Sequence, residues 1–81
     1  MQEEVVILSG SRTAIGSFGG SLKSVSPIEL GTVVAKKALE NSGVDKNEFG
    51  QVAFGHVINT EPKDMYLSRV IALNSGLPKS V

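Results

Sequence analysis

The sequence predicts an α/β fold, specifically a βαβα unit, on three observations. Val5, Val6, Ile7 and Leu8 run without a polar break, and Val52, Ala53, Phe54, Val57 and Ile58 repeat the pattern. Uninterrupted runs rich in β-branched residues are how strands covered on both faces read. Between the two runs lies a stretch with a serine cap, a proline in its first turn and apolar residues at helical spacing, and a second helical stretch follows. Strand, helix, strand implies parallel strands joined by a right-handed crossover.

The first strand is expected over residues 4–9, ended by Ser9 and Gly10. Residues 10–26 show no clear period and are long for a strand-to-helix connection, where about 2–6 residues is usual. Ile15, Phe18 and Leu22 are read as apolar anchors of this loop, and Gly16, Gly19 and Gly20 let it turn tightly. Ser26 then caps a helix with Pro27 at its first position and Glu29 placed to complete a capping box. At 100° per residue, Ile28, Leu30, Gly31, Val34, Ala35, Ala38 and Leu39 share one arc, opposite Glu29, Thr32, Lys36, Lys37 and Glu40. Asn41, Ser42 and Gly43 stop the helix.

Residues 44–50 are a polar link, and the second strand is expected over 51–58. A second helix is expected over 63–75, with Gly76 capping it and Pro78 preventing its return. Its apolar residues surround most of the cylinder, which predicts burial on all sides.

Eight basic and eight acidic residues cancel, which excludes the clustered positive charge of a nucleic-acid surface. There is no cysteine, so disulfides, thiolate metal sites and a cysteine nucleophile are excluded within these 81 residues. The start, Met-Gln-Glu-Glu, lacks the basic character of a secretory signal, and no run approaches the roughly 20 apolar residues of a membrane span. The expectation is a cytoplasmic protein with no membrane partner. The chain reads as one domain, 1–81, without an internal boundary. Strands apolar on both faces want neighbours on both edges and a helix layer on each side. The segment is therefore expected to be the front of a larger α/β protein, or to fold against a partner chain.

The candidate residues are few. The glycines at 10, 16, 19 and 20 fit neither G-x-G-x-x-G nor G-x-x-x-x-G-K-[ST], and the helix starts too late to face a phosphate held by them. Arg12 and Thr13 follow the end of a strand, where α/β sites tend to lie, and Arg12 is read as a donor to loop carbonyls. His56 is the lone histidine, set in an apolar run without an orienting carboxylate at ligand spacing, and is read as structural. Arg69 on the second helix needs a partner, for which Asp64, Glu61 or a residue outside this chain qualify. Met65 and Tyr66 are read as core, with interface packing second.

The stretch Ser9-Gly10-Ser11-Arg12-Thr13-Ala14-Ile15-Gly16-Ser17-Phe18-Gly19-Gly20-Ser21-Leu22 resembles the opening motif of thiolases, the acetyl-CoA acyltransferases. Pro27-Ile28-Glu29-Leu30-Gly31 is similar to their first helix. Phe54-Gly55-His56-Val57-Ile58, then Thr60-Glu61-Pro62 and Asp64-Met65-Tyr66, resemble the second strand and following loop of bacterial β-ketothiolases. Ala72-Leu73-Asn74-Ser75-Gly76-Leu77-Pro78 matches as well. The resemblance spans nearly all 81 residues in order, with the first motif the most specific.

That resemblance implies the first strands and helices of the amino-terminal half of a five-layer αβαβα fold, hence a partial domain. It implies a parent enzyme that condenses two acyl-CoA molecules or cleaves a 3-ketoacyl-CoA with coenzyme A. Coenzyme A thioesters are then substrates, and no cofactor is expected. The family's nucleophilic cysteine, its histidine and its second cysteine all fall beyond Val81, so no catalytic residue is placed here. The first cysteine follows shortly after the Gly-Leu-Pro segment. Arg12, Thr13 and Gly16 are expected to serve the structure of the loop. The resemblance sets His56, Asn59, Met65, Tyr66 and Arg69 near the dimer contact or the active-site wall, in a homodimer or homotetramer. His56 departs from the family, which often has Gln or Asn there. Two rival readings stand beside this one: a non-catalytic thiolase-like scaffold or dimerisation segment, and a small phosphate- or nucleotide-binding α/β module.

Overall fold

Ser26, in extended conformation, accepts the Glu29 amide at 3.1 Å and starts α1 (Pro27–Ser42) in the computed structural model, which describes residues 3–81. Gly43 ends the helix at φ 70°, the left-handed region open to glycine. The expected faces appear except at Thr32, which is half-buried and donates its hydroxyl to the Ile28 carbonyl at 2.7 Å. Ile28 is buried and Leu30, Gly31, Val34, Ala35, Ala38 and Leu39 are half-buried, while Glu29, Lys36, Lys37 and Glu40 are exposed. In the link that follows, Asp45 accepts the Asn47 amide at 2.8 Å over a single 3-10 turn, Lys46–Glu48.

The second helix is shorter than its sequence pattern. Residues Pro62–Tyr66 form a 3-10 turn, and α2 covers only Leu67–Asn74. It closes with a Schellman pair: Leu77 donates to the Ala72 carbonyl and Gly76 to Leu73, both at 3.1 Å, with Gly76 at φ 88°. α2 is also not enclosed on all sides. Leu67, Ile71 and Ala72 are buried, but Met65, Tyr66 and Leu73 face solvent. The reason is a shortage of partners, since among the described residues its main neighbours are α1 and the 3-10 turn that leads into it.

The two helices meet where α1 has no side chain. A Cβ on Gly31 would run into Cδ1 of Ile71, which is fully buried. Ile28, Leu67 and Ile71 form the centre of the core, with Ala35, Phe54 and Val70 against it.

Among the described residues there is no strand, so they do not form the expected βαβα unit. Residues 4–9 and 51–58 lack a sheet ladder, because a strand exists only through hydrogen bonds to a neighbour. Val5 is 96% exposed, Ile7 95% and Val57 94%. The first run is nevertheless laid along α1. Ser9 Oγ donates to the Ala38 carbonyl and Ser11 Oγ to the Val34 carbonyl, each at 2.6 Å. Two residues of extended chain advance about 6.6 Å, and four helical residues about 6.0 Å. The matching spacing fits an extended backbone running antiparallel to α1, as a strand does beside its crossover helix.

The loop is looser than its anchors suggest. Ile15 and Phe18 are fully exposed, and only Leu22 is tucked in, against Gly16. The accessible surface of 6561 Å² compares with about 4,700 Å² for a compact chain of this mass. The radius of gyration is 14.3 Å, against about 12 Å for a self-contained domain of this length.

Candidate functional site

Two features hold the polar and apolar groups that sequence reasoning singled out: the turn entering α2, and a groove between the helices. The turn is built on Asp64. Its Oδ2 accepts the Thr60 amide at 2.7 Å, the Thr60 hydroxyl at 2.7 Å and the Glu61 amide at 3.2 Å. Glu61 reciprocates toward the Asp64 backbone, completing a capping box. These bonds favour the ionised form, so the carboxyl lies below its ordinary value of 3.8. The Thr60 amide contributes most, then its hydroxyl; burial opposes, and the Glu61 amide and the nearby charge of His56 add smaller parts. The other oxygen, Oδ1, is buried without a partner among the described residues, as is Ser75 Oγ.

His56 and Asn59 are brought together in the stretch just before that turn. His56 Nε2 donates to Asn59 Oδ1 at 2.7 Å, and both residues are exposed. Met65 and Tyr66, the last two residues of the 3-10 turn, are exposed. This is not the core position first read for them, because the turn ends before α2 reaches the buried contact at Leu67.

Arg69 is exposed and pairs with neither Asp64 nor Glu61. Its Nη1 donates to an oxygen of Val81, the last residue of the chain, at 2.8 Å and its Nη2 to the Lys79 carbonyl at 2.9 Å. Asp64 instead turns one oxygen, Oδ2, to Thr60 and Glu61.

The loop residues sit apart from this turn in sequence and in bonding. Arg12 points to solvent and holds no loop carbonyl among the described residues, contrary to the reading from its position. Thr13 Oγ1 donates locally to the Ala14 carbonyl at 3.0 Å. Gly16 lies close to Leu22, where a Cβ would come within 3.1 Å of Cδ1.

The groove has a volume of about 420 Å³ and a mostly apolar lining. Val6 and Leu8 come from the first apolar run and Val52, Ala53 and Phe54 from the second, with Ala35, Ala38 and Leu39 of α1 and Ile71 of α2 between them. Both would-be strands thus border one trough. No set of three His, Asp or Glu side chains suited to a metal ion occurs among the described residues. No helix among them is long and apolar enough to cross a membrane.

Sequence reasoning passed over the roles of Asp64, Gly31 and the two serines. Asp64 carried a signal, a carboxylate three residues after Glu61 with Pro62 between, which is a capping signature. Ser9 was legible only as the end of a strand and Ser11 only as part of the loop after it.

The serine-tethered first run, the two packed helices and the capped turn define no reaction by themselves, and comparison with known sequences supplies the family. Residues 5–81 match the model of the thiolase amino-terminal domain, and the chain belongs to that family. A beta-ketothiolase of Cupriavidus necator is 57% identical over 77 residues, 95% of this chain and 20% of that protein. The cytosolic acetyl-CoA acetyltransferase of Mus musculus is 42% identical over 79 residues, 98% of this chain and 20% of its own length. An acetyl-CoA acetyltransferase of Clostridioides difficile is 43% identical over 75 residues, 93% of this chain and 69% of that protein. The chain thus spans about one fifth of the length of most such relatives, the last being shorter.

Proposed function

We propose that these residues are the amino-terminal part of an acyl-CoA thiolase. The complete polypeptide joins two acetyl-CoA molecules or splits a 3-ketoacyl-CoA with coenzyme A, through a cysteine acyl-enzyme located outside this segment. The observation that carries the reading is the family match over residues 5–81, which covers every element described above. Thioester exchange between a protein thiolate and coenzyme A needs a cysteine and a base to activate it. These 81 residues contain no cysteine, and their lone histidine is committed to Asn59. The segment supplies framework, and the chemistry comes from the rest of the chain.

In that assembly residues 4–9 and 51–58 become parallel strands, completing a βαβα unit within a layered αβαβα fold. The exposed faces of both runs and the groove they border support this. Arg12, Thr13 and Gly16 shape the loop after the first strand. His56, Asn59, Met65, Tyr66 and Arg69 lie at the subunit contact or the wall of the active site, in a cytoplasmic homodimer or homotetramer. The exposure of Met65 and Tyr66 beside a rigid turn supports an interface role.

The test is thiolysis of acetoacetyl-CoA by the full-length protein, followed by mass spectrometry of the enzyme after acetyl-CoA alone. Coenzyme-A-dependent loss of substrate and an acetylated cysteine are expected, with no turnover by residues 1–81 alone. A full-length protein that forms neither acetyl-cysteine nor product ends the proposal.

A further inference from the structure

We infer that Ser9 and Ser11 form a two-point clamp: their hydroxyls fix the register of the first apolar run on α1 and leave the backbone of that run free to pair with neighbouring strands. The inference goes beyond the thiolase reading and does not depend on the reaction of the complete protein. Each hydroxyl donates at 2.6 Å to a main-chain carbonyl of α1, Ser9 to Ala38 and Ser11 to Val34. A helical carbonyl accepts the amide four residues on, and its oxygen has a second lone pair that the serine takes. Among the described residues, no main-chain hydrogen bond engages a backbone group of residues 4–11. The run is thus held on the helix by side chains, with its own amides and carbonyls open.

Two bonds set a register where one would let the run pivot and slide. Side chains two apart share one face of an extended chain, and carbonyls four apart share one row of a helix. A shift of one residue would turn both hydroxyls to the opposite face. A shift of two, carrying Ser11 to the Ala38 carbonyl and Thr13 to that of Val34, keeps the hydroxyl spacing. It also moves Leu8 beyond the end of α1 at Ser42, out of the groove it shares with Ala38 and Leu39. Thr13 donates to its neighbour Ala14 and takes no carbonyl of α1. Hydroxyl spacing and apolar fit therefore agree in one register.

The experiment is amide deuterium exchange in the full-length protein, comparing the wild type with Ser9→Ala, Ser11→Ala, the double variant, Ser11→Thr and Ser11→Val. Either alanine should raise exchange in residues 4–12 about fivefold, the equivalent of one uncharged hydrogen bond. The double variant should exceed the product of the two, because either bond alone still limits the slide. Residue 11 is exposed, so threonine keeps the hydroxyl there and valine keeps threonine's shape without it. Threonine should match the wild type, valine should loosen the run as alanine does, and peptides of α2 should not change. Unaltered exchange in the first run, equal loosening of α2, or valine equal to threonine overturns the inference. Effects that simply multiply overturn it as well, since they describe two separate bonds and no clamp. No arm measures activity, so a full-length protein without thiolase activity ends the functional reading while the exchange data still judge the clamp.

Discussion

At the scale of single residues, the contact between Gly31 and Ile71 makes the sharpest prediction. Alanine at position 31 would gain up to about 1 kcal/mol of helix propensity. The same methyl collides with Cδ1 of Ile71 in a filled core, and overpacking costs about 1–3 kcal/mol. Gly31→Ala should therefore lower the melting temperature of the full-length protein. Ile71→Val removes the offending methyl, so the double variant should be more stable than the sum of the two single changes predicts. Strict additivity would show that the two atoms do not meet. Asp64 gives a second residue-level prediction, in pH. Its folded carboxyl lies below its ordinary value, so on acidification the unfolded chain takes up the proton first. The stability it contributes is complete above about pH 4–5 and is lost as pH falls through the lowered folded value. A carboxyl titration by NMR should place Asp64 below 3.8, and Asp64→Asn should remove that acid-dependent loosening of residues 60–66. A midpoint at or above that value would contradict the Thr60 and Glu61 bonds.

At the scale of elements, what the sequence disclosed follows how local each signal is. The caps of α1 were legible because Ser26, Pro27 and Gly43 act within one turn of themselves. Ser26→Ala should cost about 1 kcal/mol and Ser26→Gly only a few tenths, because glycine leaves the amides open to water. Gly43→Ala should cost about 1 kcal/mol, since it forces a Cβ into the left-handed region. Chemical denaturation of each variant measures both. If Ser26→Gly proves as costly as Ser26→Ala, the role of Ser26 as a cap is wrong. The start of α2 was less legible, because periodicity over 63–75 does not distinguish a 3-10 turn from an α-helix. The turn is imposed by Asp64 reaching back to Thr60, a side-chain bond that competes with regular helix. The two strands were legible as patterns and absent as structure. Val5 to Leu8 carries the composition of a covered strand, but a ladder is a property of a pair, and among the described residues no ladder forms. The partner of Arg69 was illegible for a related reason: charge complementarity suggested Asp64, and the geometry of the bend delivered the oxygens of Lys79 and Val81.

At the scale of the whole molecule, the surface is where the segment and the protein it belongs to must differ. Its accessible area of 6561 Å² exceeds that of a compact chain of equal mass by about 1,900 Å², and much of the excess is apolar side chain along the two extended runs. At about 25 cal/mol per Å², covering even a few hundred square ångströms of it is worth several kcal/mol. That amount is comparable with the total stability of an ordinary domain. In the thiolase proposed above the apolar runs would be adhesive to the remaining four-fifths of the polypeptide, and the same substitution should act differently in the two settings. Ile7→Asp replaces a side chain that is 95% exposed within these residues. In the 81-residue chain it should leave helix content by circular dichroism unchanged. In the full-length protein the residue is predicted to lie in a central strand, where an unpaired carboxylate is buried at a cost of several kcal/mol. Soluble yield and melting temperature should then collapse, while Lys37→Asp on the solvent face of α1 should change neither. If Ile7→Asp were as harmless in the full-length protein as at Lys37, the first run would not be a covered strand. The proposed layered architecture would then lose its starting element.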